Sequence, residues 1–291
     1  MISKNNLEAQ IKDLAELNSM ITTYEEIAAS RIKQSRESVL ASRNFMSDLI
    51  VVFNDVITSY RKEVDILLKR KKITDLKDLS FINKNGKTLY LLLSSNTGLY
   101  GNITKRTFDL FASKAKEDNV DLAIVGKLGQ GMWQAEKNKK EYVYFDFPDQ
   151  NVSNEILRKV LDFIVSYQRV VVFYGKFQSL VTQEPTYADI TGTSSPEQTT
   201  QGKNEKYFFE PSLEKVLEFF EKQIFESLFE QIVRESQLAK ISSRMTTLNE
   251  ANENISNQLS TLTIQKNRIY HQIQNKKQLQ TFSSKLLWSQ S

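Results

Sequence analysis

Cysteine is absent from all 291 residues, which excludes disulfides, iron–sulfur clusters, thiolate zinc sites and cysteine nucleophiles. Histidine occurs once, at His271, so a multi-histidine metal site or a histidine-based proton relay is not expected. Long apolar runs are missing too. The longest candidate, Phe45 to Phe53, carries Asp48 and falls short of the ~20 residues of a membrane span. The Met-Ile-Ser-Lys-Asn-Asn start turns polar at once, unlike a secretory signal, and a cytoplasmic location is the default expectation. A large charge excess is also lacking. The 39 basic and 35 acidic residues leave +4, too even for a dedicated nucleic-acid binder. With 40% hydrophobic and 25% charged residues, the rest is ordinary globular composition.

Glycine and proline are absent from both flanks. All nine glycines lie between Gly86 and Gly202, and all four prolines between Pro148 and Pro211. Nothing outside that window obliges the chain to turn. In the C-terminal flank Leu238, Ile241, Met245, Leu248, Asn252, Ile255, Leu259, Leu262, Lys266, Ile269 and Ile273 alternate spacings of three and four. Such a seam places one stripe along a helix and favours pairing with another, with Asn252 and Lys266 as polar breaks that fix register. Upstream, Pro211 to Val233 is richer in aromatics, and Pro211 suits a first helical turn. A helix of this length would exceed ~100 Å.

The N-terminal flank predicts a stripe of Leu7, Ile11, Leu14, Leu17, Ile21, Tyr24 and Ala28, then a small, polar stretch to Ser42, then an apolar stretch from Phe45 to Leu68. Lys69-Arg70-Lys71-Lys72 suits a helix C-terminus. Each flank could be an amphipathic helix on a globular core. Their length favours mutual cover as an antiparallel coiled coil. The expected domains are an N-terminal shaft helix over 1–75, an inserted α/β domain over 76–210, and a C-terminal shaft helix over 211–291.

The middle alternates strand and helix patterns. Strands are expected at Thr88–Ser95, Leu122–Gly126, Tyr142–Phe147 and Val170–Tyr174, and helices at Asn102–Glu117 and Val152–Tyr167. Leu180–Ile190 and Lys206–Phe209 are candidate edge strands, and Thr191–Asn204 a surface loop. This pattern implies parallel pairing in a Rossmann-like three-layer α/β core. Gly126-Lys127-Leu128-Gly129-Gln130-Gly131 matches neither phosphate-loop spacing, and with no helix expected after it, it reads as a turn. Asp146, Asp149 and Glu184 form no recognisable acid–base pair, and His271 lies on a heptad flank. No catalytic constellation, cofactor or metal site is expected.

Motifs then occur in a telling order. Ile21-Thr22 with Ala28-Ala29-Ser30-Arg31-Ile32, Ser95-Asn96-Thr97-Gly98-Leu99-Tyr100-Gly101-Asn102, and Ile124-Val125-Gly126-Lys127 come first. Phe173-Tyr174-Gly175-Lys176-Phe177 with Gln183 and Pro185, Phe209-Glu210-Pro211-Ser212, and Ser243-Arg244-Met245 with Leu248, Ala251, Asn254 and Leu259 follow. Taken together they resemble the γ subunit of the F-type ATP synthases along essentially the whole chain. Glu25 and Glu26 stand where that family is basic, Tyr100 replaces its cysteine, and Tyr270-His271 align with its Arg-Gln pair.

The resemblance implies a non-catalytic central rotor shaft in a hexamer of α and β subunits, coupling ion-driven rotation to ATP synthesis or hydrolysis. It implies an α/β domain resting with the ε subunit on the membrane c-ring, at the cytoplasmic face of a bacterial membrane without insertion into it. Implied hexamer contacts are Ile21, Ala28, Ala29, Arg31, Arg244, Asn254, Arg268, His271, Gln272, Leu286 and Trp288. Implied contacts to ε and the c-ring are Ser95, Asn96, Thr97, Gly98, Leu99, Tyr100 and Gly101. A rotor in a bearing should present a polar surface, and Lys240, Arg244, Lys266, Arg268, Lys276 and Lys277 are expected on the outward face. A rotor-like subunit of a specialised rotary ATPase, an α/β nucleotide-binding enzyme with helical extensions, and a coiled-coil scaffold remain alternatives.

Overall fold

A run such as Leu89-Tyr90-Leu91-Leu92-Leu93, apolar at every position, makes a strand only where both sheet faces are covered. In a computed structural model that is its setting. The described residues are 4–60, 84–98, 100–117, 119–136, 140–149, 152–191 and 212–288, with side chains within 5–283. The elements in order are α1 (Lys4–Ser59), β1 (Thr88–Leu93), α2 (Ile103–Lys114), β2 (Val120–Val125), α3 (Lys127–Ala135), β3 (Tyr142–Phe145), α4 (Asn154–Ile164), β4 (Arg169–Phe177), β5 (Gln183–Asp189) and α5 (Leu213–Trp288). The expected domain limits near 75 and 210, the Lys69–Lys72 cluster, the 192–204 part of the loop and the strand at Lys206–Phe209 lie outside the described residues.

The chain forms two compact units, one of residues 1–30 with 245–291 and one of 31–244. In the second, the sheet order is β3-β2-β1-β4-β5, with β1 to β4 parallel and β5 antiparallel to β4. β5 confirms an edge strand within Leu180–Ile190. Strand alternation sorts the core into two layers. Leu89, Leu91 and Leu93 face Val160, Leu161 and Ile164 of α4 and Phe225, Phe229, Ile232 and Val233 of α5. Tyr90 and Leu92 face Phe108 and Phe111 of α2 and Trp133 of α3. The first part of α5 thus forms an outer layer of the three-layer α/β core. Farther towards its start, Leu217 packs on Val56 of α1, and Phe220 lies 5.6 Å from Phe53.

Within the unit of 1–30 and 245–291, α1 and α5 run antiparallel. Glu25 accepts a hydrogen bond from Asn252 at 2.9 Å, and Glu8 pairs with Lys266 at 3.8 Å. The α5 seam follows the sequence expectation as far as Ile269, whereas Ile273, expected to continue it, is exposed. Met245, Leu248, Asn252, Ile255, Leu259, Leu262, Lys266 and Ile269 are its less exposed positions.

On α1 the phase differs. The inward positions are Leu7, Ile11, Leu14, Asn18, Ile21, Glu25 and Ala28, while Leu17 and Tyr24 are 44% and 45% exposed. A strict four-three alternation is the geometry of a left-handed pair, and it prevails over the polarity of Asn18 and Glu25.

A second correction concerns Gly126 to Gly131. A helix, α3, begins at once at Lys127. Gly126 sits at φ 95°, and a Cβ there would lie 2.9 Å from the Ser95 backbone. A Cβ at Gly129 would lie 2.6 Å from Cβ of Ser94. These glycines let α3 pack against the end of β1, a role that the phosphate-loop test does not see.

Candidate functional site

The Ser95–Gly101 segment leaves the carboxyl end of β1, where open α/β sheets gather their loops. It is tied from several sides. The buried Ser95 hydroxyl is 3.1 Å from the Thr97 carbonyl, to which it donates, and 3.3 Å from Thr104 Oγ1. Asp149 accepts from Asn96 N at 2.8 Å, Thr97 N at 3.1 Å and Thr97 Oγ1 at 3.0 Å. The Asn96 amide donates to Asp146 at 3.0 Å and accepts from Lys127 N at 2.9 Å. Lys127 also pairs with Asp146 at 3.7 Å. The two aspartates therefore clamp the loop and the start of α3. Their sequence positions gave no hint of this, since carboxylates 50 to 53 residues away meet the loop only through the sheet.

Of the loop residues expected to face partners, Thr97, Gly98 and Gly101 are exposed, Asn96 is half-buried, and Ser95 and Tyr100 are buried. Leu99 lies outside the described residues.

Beneath this loop sits a residue placed wrongly by the sequence reading. Lys240 is not on an outward face. It is buried, and its ammonium donates to the carbonyl of Ser94. Burial pushes its pKa down to about 8, with Asp149 opposing. The seam period does not separate a helix turn facing solvent from one facing a sheet, so the error is one of surroundings. Nearby, Glu235 pairs with Arg43 at 3.1 Å, and Arg234 meets both Glu230 and the Ser38 hydroxyl. Burial and Glu235 push the Tyr174 phenol up to about 12, with Arg43 acting against them.

The shaft candidates divide by exposure. Ile21 is half-buried and Ala28 buried, so both face the seam. Ala29, Asn254, Arg268, His271 and Gln272 are exposed, and the His271 ring lies 6.1 Å from Tyr270. Arg31 and Arg244 are half-buried in the other unit. Lys266 belongs to the seam rather than the outward face, whereas Lys276 and Lys277 are exposed. Leu286 and Trp288 close α5, and their side chains lie outside the described residues.

The outer surface is also less polar than expected. Leu17, Met20, Tyr24 and Ile27 are each more than 40% exposed and follow one another at spacings of three and four along α1. This second apolar stripe was missed because its first and third members were assigned to the seam. No helix among the described residues is long and apolar enough to cross a membrane.

An α/β unit with two long terminal helices that pair antiparallel is a narrow class of protein. The family described as ATP synthase matches residues 3–271, and this chain belongs to it. The chain is 24% identical over 280 residues to an ATP synthase gamma chain of Desulfitobacterium hafniense, with 92% of each chain covered. It is 23% identical over 274 residues to the gamma chain of Mycoplasma capricolum, again over 92% of each. A chain of the Tetrahymena thermophila mitochondrial ATP synthase central stalk and c-ring shares the fold at a TM-score of 0.52 and 16% identity. That alignment covers 80% of this chain and 99% of the other.

Proposed function

We infer that this chain is the γ-type central-stalk subunit of an F-type ATP synthase, and that it turns inside a hexamer of α and β subunits. It is a non-catalytic part of the complex. The observation that carries the reading is the family match across both helices and the α/β unit together, which a domain-only relationship would not produce.

The working principle is differential contact. A shaft that touched every β conformation equally would shift no population, however tightly it bound. An asymmetric helical pair presents a different surface at each angle, so each angle favours one nucleotide-site state. Ala29, Asn254, Arg268, His271 and Gln272 are the exposed residues assigned to those contacts. Ile21 and Ala28 instead set the spacing of the two helices. Thr97, Gly98 and Gly101, on the clamped loop, are assigned to the ε subunit and c-ring. A loop tied to two aspartates transmits a push without yielding. Ion-driven rotation of the ring would turn the shaft at the cytoplasmic face of a bacterial membrane.

The test is reconstitution with the α and β subunits of the same organism, followed by sizing and an ATPase assay. One copy of this chain per hexamer is expected, with hydrolysis falling when residues after Ile269 are removed. Failure to form any complex would overturn the reading.

A further inference from the structure

The Asp149 carboxylate stands between two sets of partners. On one side it accepts from Asn96 N at 2.8 Å, Thr97 N at 3.1 Å and Thr97 Oγ1 at 3.0 Å, which holds the loop after β1. On the other it borders a small space of about 10 Å³ whose walls also include Ser236, Gln237 and Lys240 of α5. Asp149 and Lys240 are the two charged residues on those walls. We propose that Asp149 is a two-position latch, bound to the loop in the structure described and able to turn onto the Lys240 ammonium, which frees the Asn96–Thr97 turn.

The packing leaves Lys240 short of partners. An ammonium has three N–H donors. Among the described residues the Ser94 carbonyl is the acceptor that Lys240 reaches, and no carboxylate pairs with it. The Ser236 hydroxyl, 2% exposed, is also without a hydrogen-bond partner among the described residues. Buried polar groups of native proteins are seldom left so. A buried ammonium gains more from a carboxylate than from a carbonyl. The space has room for about one water, and so for one carboxylate oxygen. An exchange between two partner sets gives two discrete arrangements rather than a continuum.

The charges give the latch a direction. With Asp149 on the loop, burial pushes Lys240 down to about 8, and Asp149 offsets this only in part. Paired with Asp149, Lys240 would hold its proton to higher pH. Above about 8 the released state therefore binds more protons, and raising the pH favours the clamped loop. The neighbouring charges are arginines and carboxylates, which do not titrate between pH 7 and 9 when unperturbed. Arg31 of α1 and the Arg234–Glu230 pair of α5 border Asp149 from an outer cleft, and Glu235 of α5 pairs with Arg43 of α1. Asp146, after β3, pairs with Lys127 of α3.

That this loop faces partners rests on the function proposed above. The latch itself does not, and the test uses the purified full chain, so the two can fail separately. Hydrogen exchange of the Asn96 and Thr97 amides is followed from pH 7 to 9 and corrected for intrinsic exchange. Protection is expected to rise about tenfold across that range. In Lys240→Met, which removes the competing cation, it should already be high at pH 7 and stay level. In Asp149→Asn it should be low throughout. Thermal melts check that both variants are folded. The amides of Leu91 and Leu92 in β1 report opening of the whole core. Level protection in the parent, protection in folded Lys240→Met no higher than in the parent at pH 7, or a rise shared equally by Leu91 and Leu92 would overturn the proposal.

Discussion

Lys240 is a cation held at the end of β1 with a carbonyl, not a carboxylate, in contact. Its folded pKa of about 8 lies below the ordinary 10.5. Between those values the unfolded chain holds more protons than the folded one, so stability rises with pH across that window. Below about 8 both states are protonated and the full burial cost is present, on the order of 3 kcal/mol. Lys240→Met keeps the buried stem and removes the charge. The variant is expected to be at least as stable as the parent at pH 7, with the difference shrinking between pH 8 and 10.5. Denaturant midpoints against pH would check this. The parent–variant difference also cancels the raised phenols of Tyr90, Tyr167 and Tyr174, which each lose stability as pH rises from about 10 to about 12. A parent stability that stayed flat from pH 8 to 10 would refute the assignment. None of this was legible in the sequence, where Lys240 shares its spacing with exposed cations. Burial is conferred by a strand almost 150 residues away. Glu25 shows the reverse failure. Its polarity argued for the surface, yet the heptad phase puts it opposite Asn252, with one carboxylate oxygen buried and unpartnered. Such a polar pair lowers stability and fixes register.

At the scale of elements, apolar periodicity was a reliable guide wherever it was continuous. The four parallel strands, the helices α2 and α4, and the α5 seam as far as Ile269 fall where the pattern put them. Helix α3 escaped, because Gly129 and Gly131 lower helix propensity and read as loop. Gly126 at its N-cap and Gly131 inside it have opposite physical meanings. Gly126 has a positive φ and the Ser95 backbone against it, so Gly126→Ala combines backbone strain with overpacking and is expected to cost about 2–3 kcal/mol or more. Gly131 faces open space on a helix surface. Gly131→Ala is therefore expected to stabilise by about 0.5–1 kcal/mol through helix propensity. Chemical denaturation of both variants measures the pair together. Equal effects of the same sign would mean that α3 does not begin at Gly126 under the constraint described. The aspartate clamp on Ser95–Gly101 belongs to this scale too. A motif in one loop can be read from sequence, but the two carboxylates that hold it arrive from the far end of β3.

For the molecule as a whole, the order of motifs was more informative than any one of them, because a shaft has no catalytic residues to mark it. What order could not supply was the outward surface of the helical pair. Leu17, Met20, Tyr24 and Ile27 form an exposed apolar stripe on α1. Side chains of this kind on a soluble helix mark a contact surface more often than a solvated one. The expectation of a wholly polar rotor surface therefore does not hold, and an apolar stripe is still compatible with sliding, since dispersion and water exclusion carry no fixed hydrogen-bond geometry. Met20→Gln with Ile27→Gln removes two of the four residues without touching the seam. Folding stability of the isolated chain should stay within about 0.5 kcal/mol for each exposed substitution. If the stripe meets the hexamer, the concentration for half-maximal assembly with the α and β subunits should rise at least about tenfold, the size of a contact worth ~1.4 kcal/mol. Unchanged assembly would leave the polar residues Asn254, Arg268 and Gln272 as the ones gripped, and the apolar stripe would then be a surface the bearing does not touch.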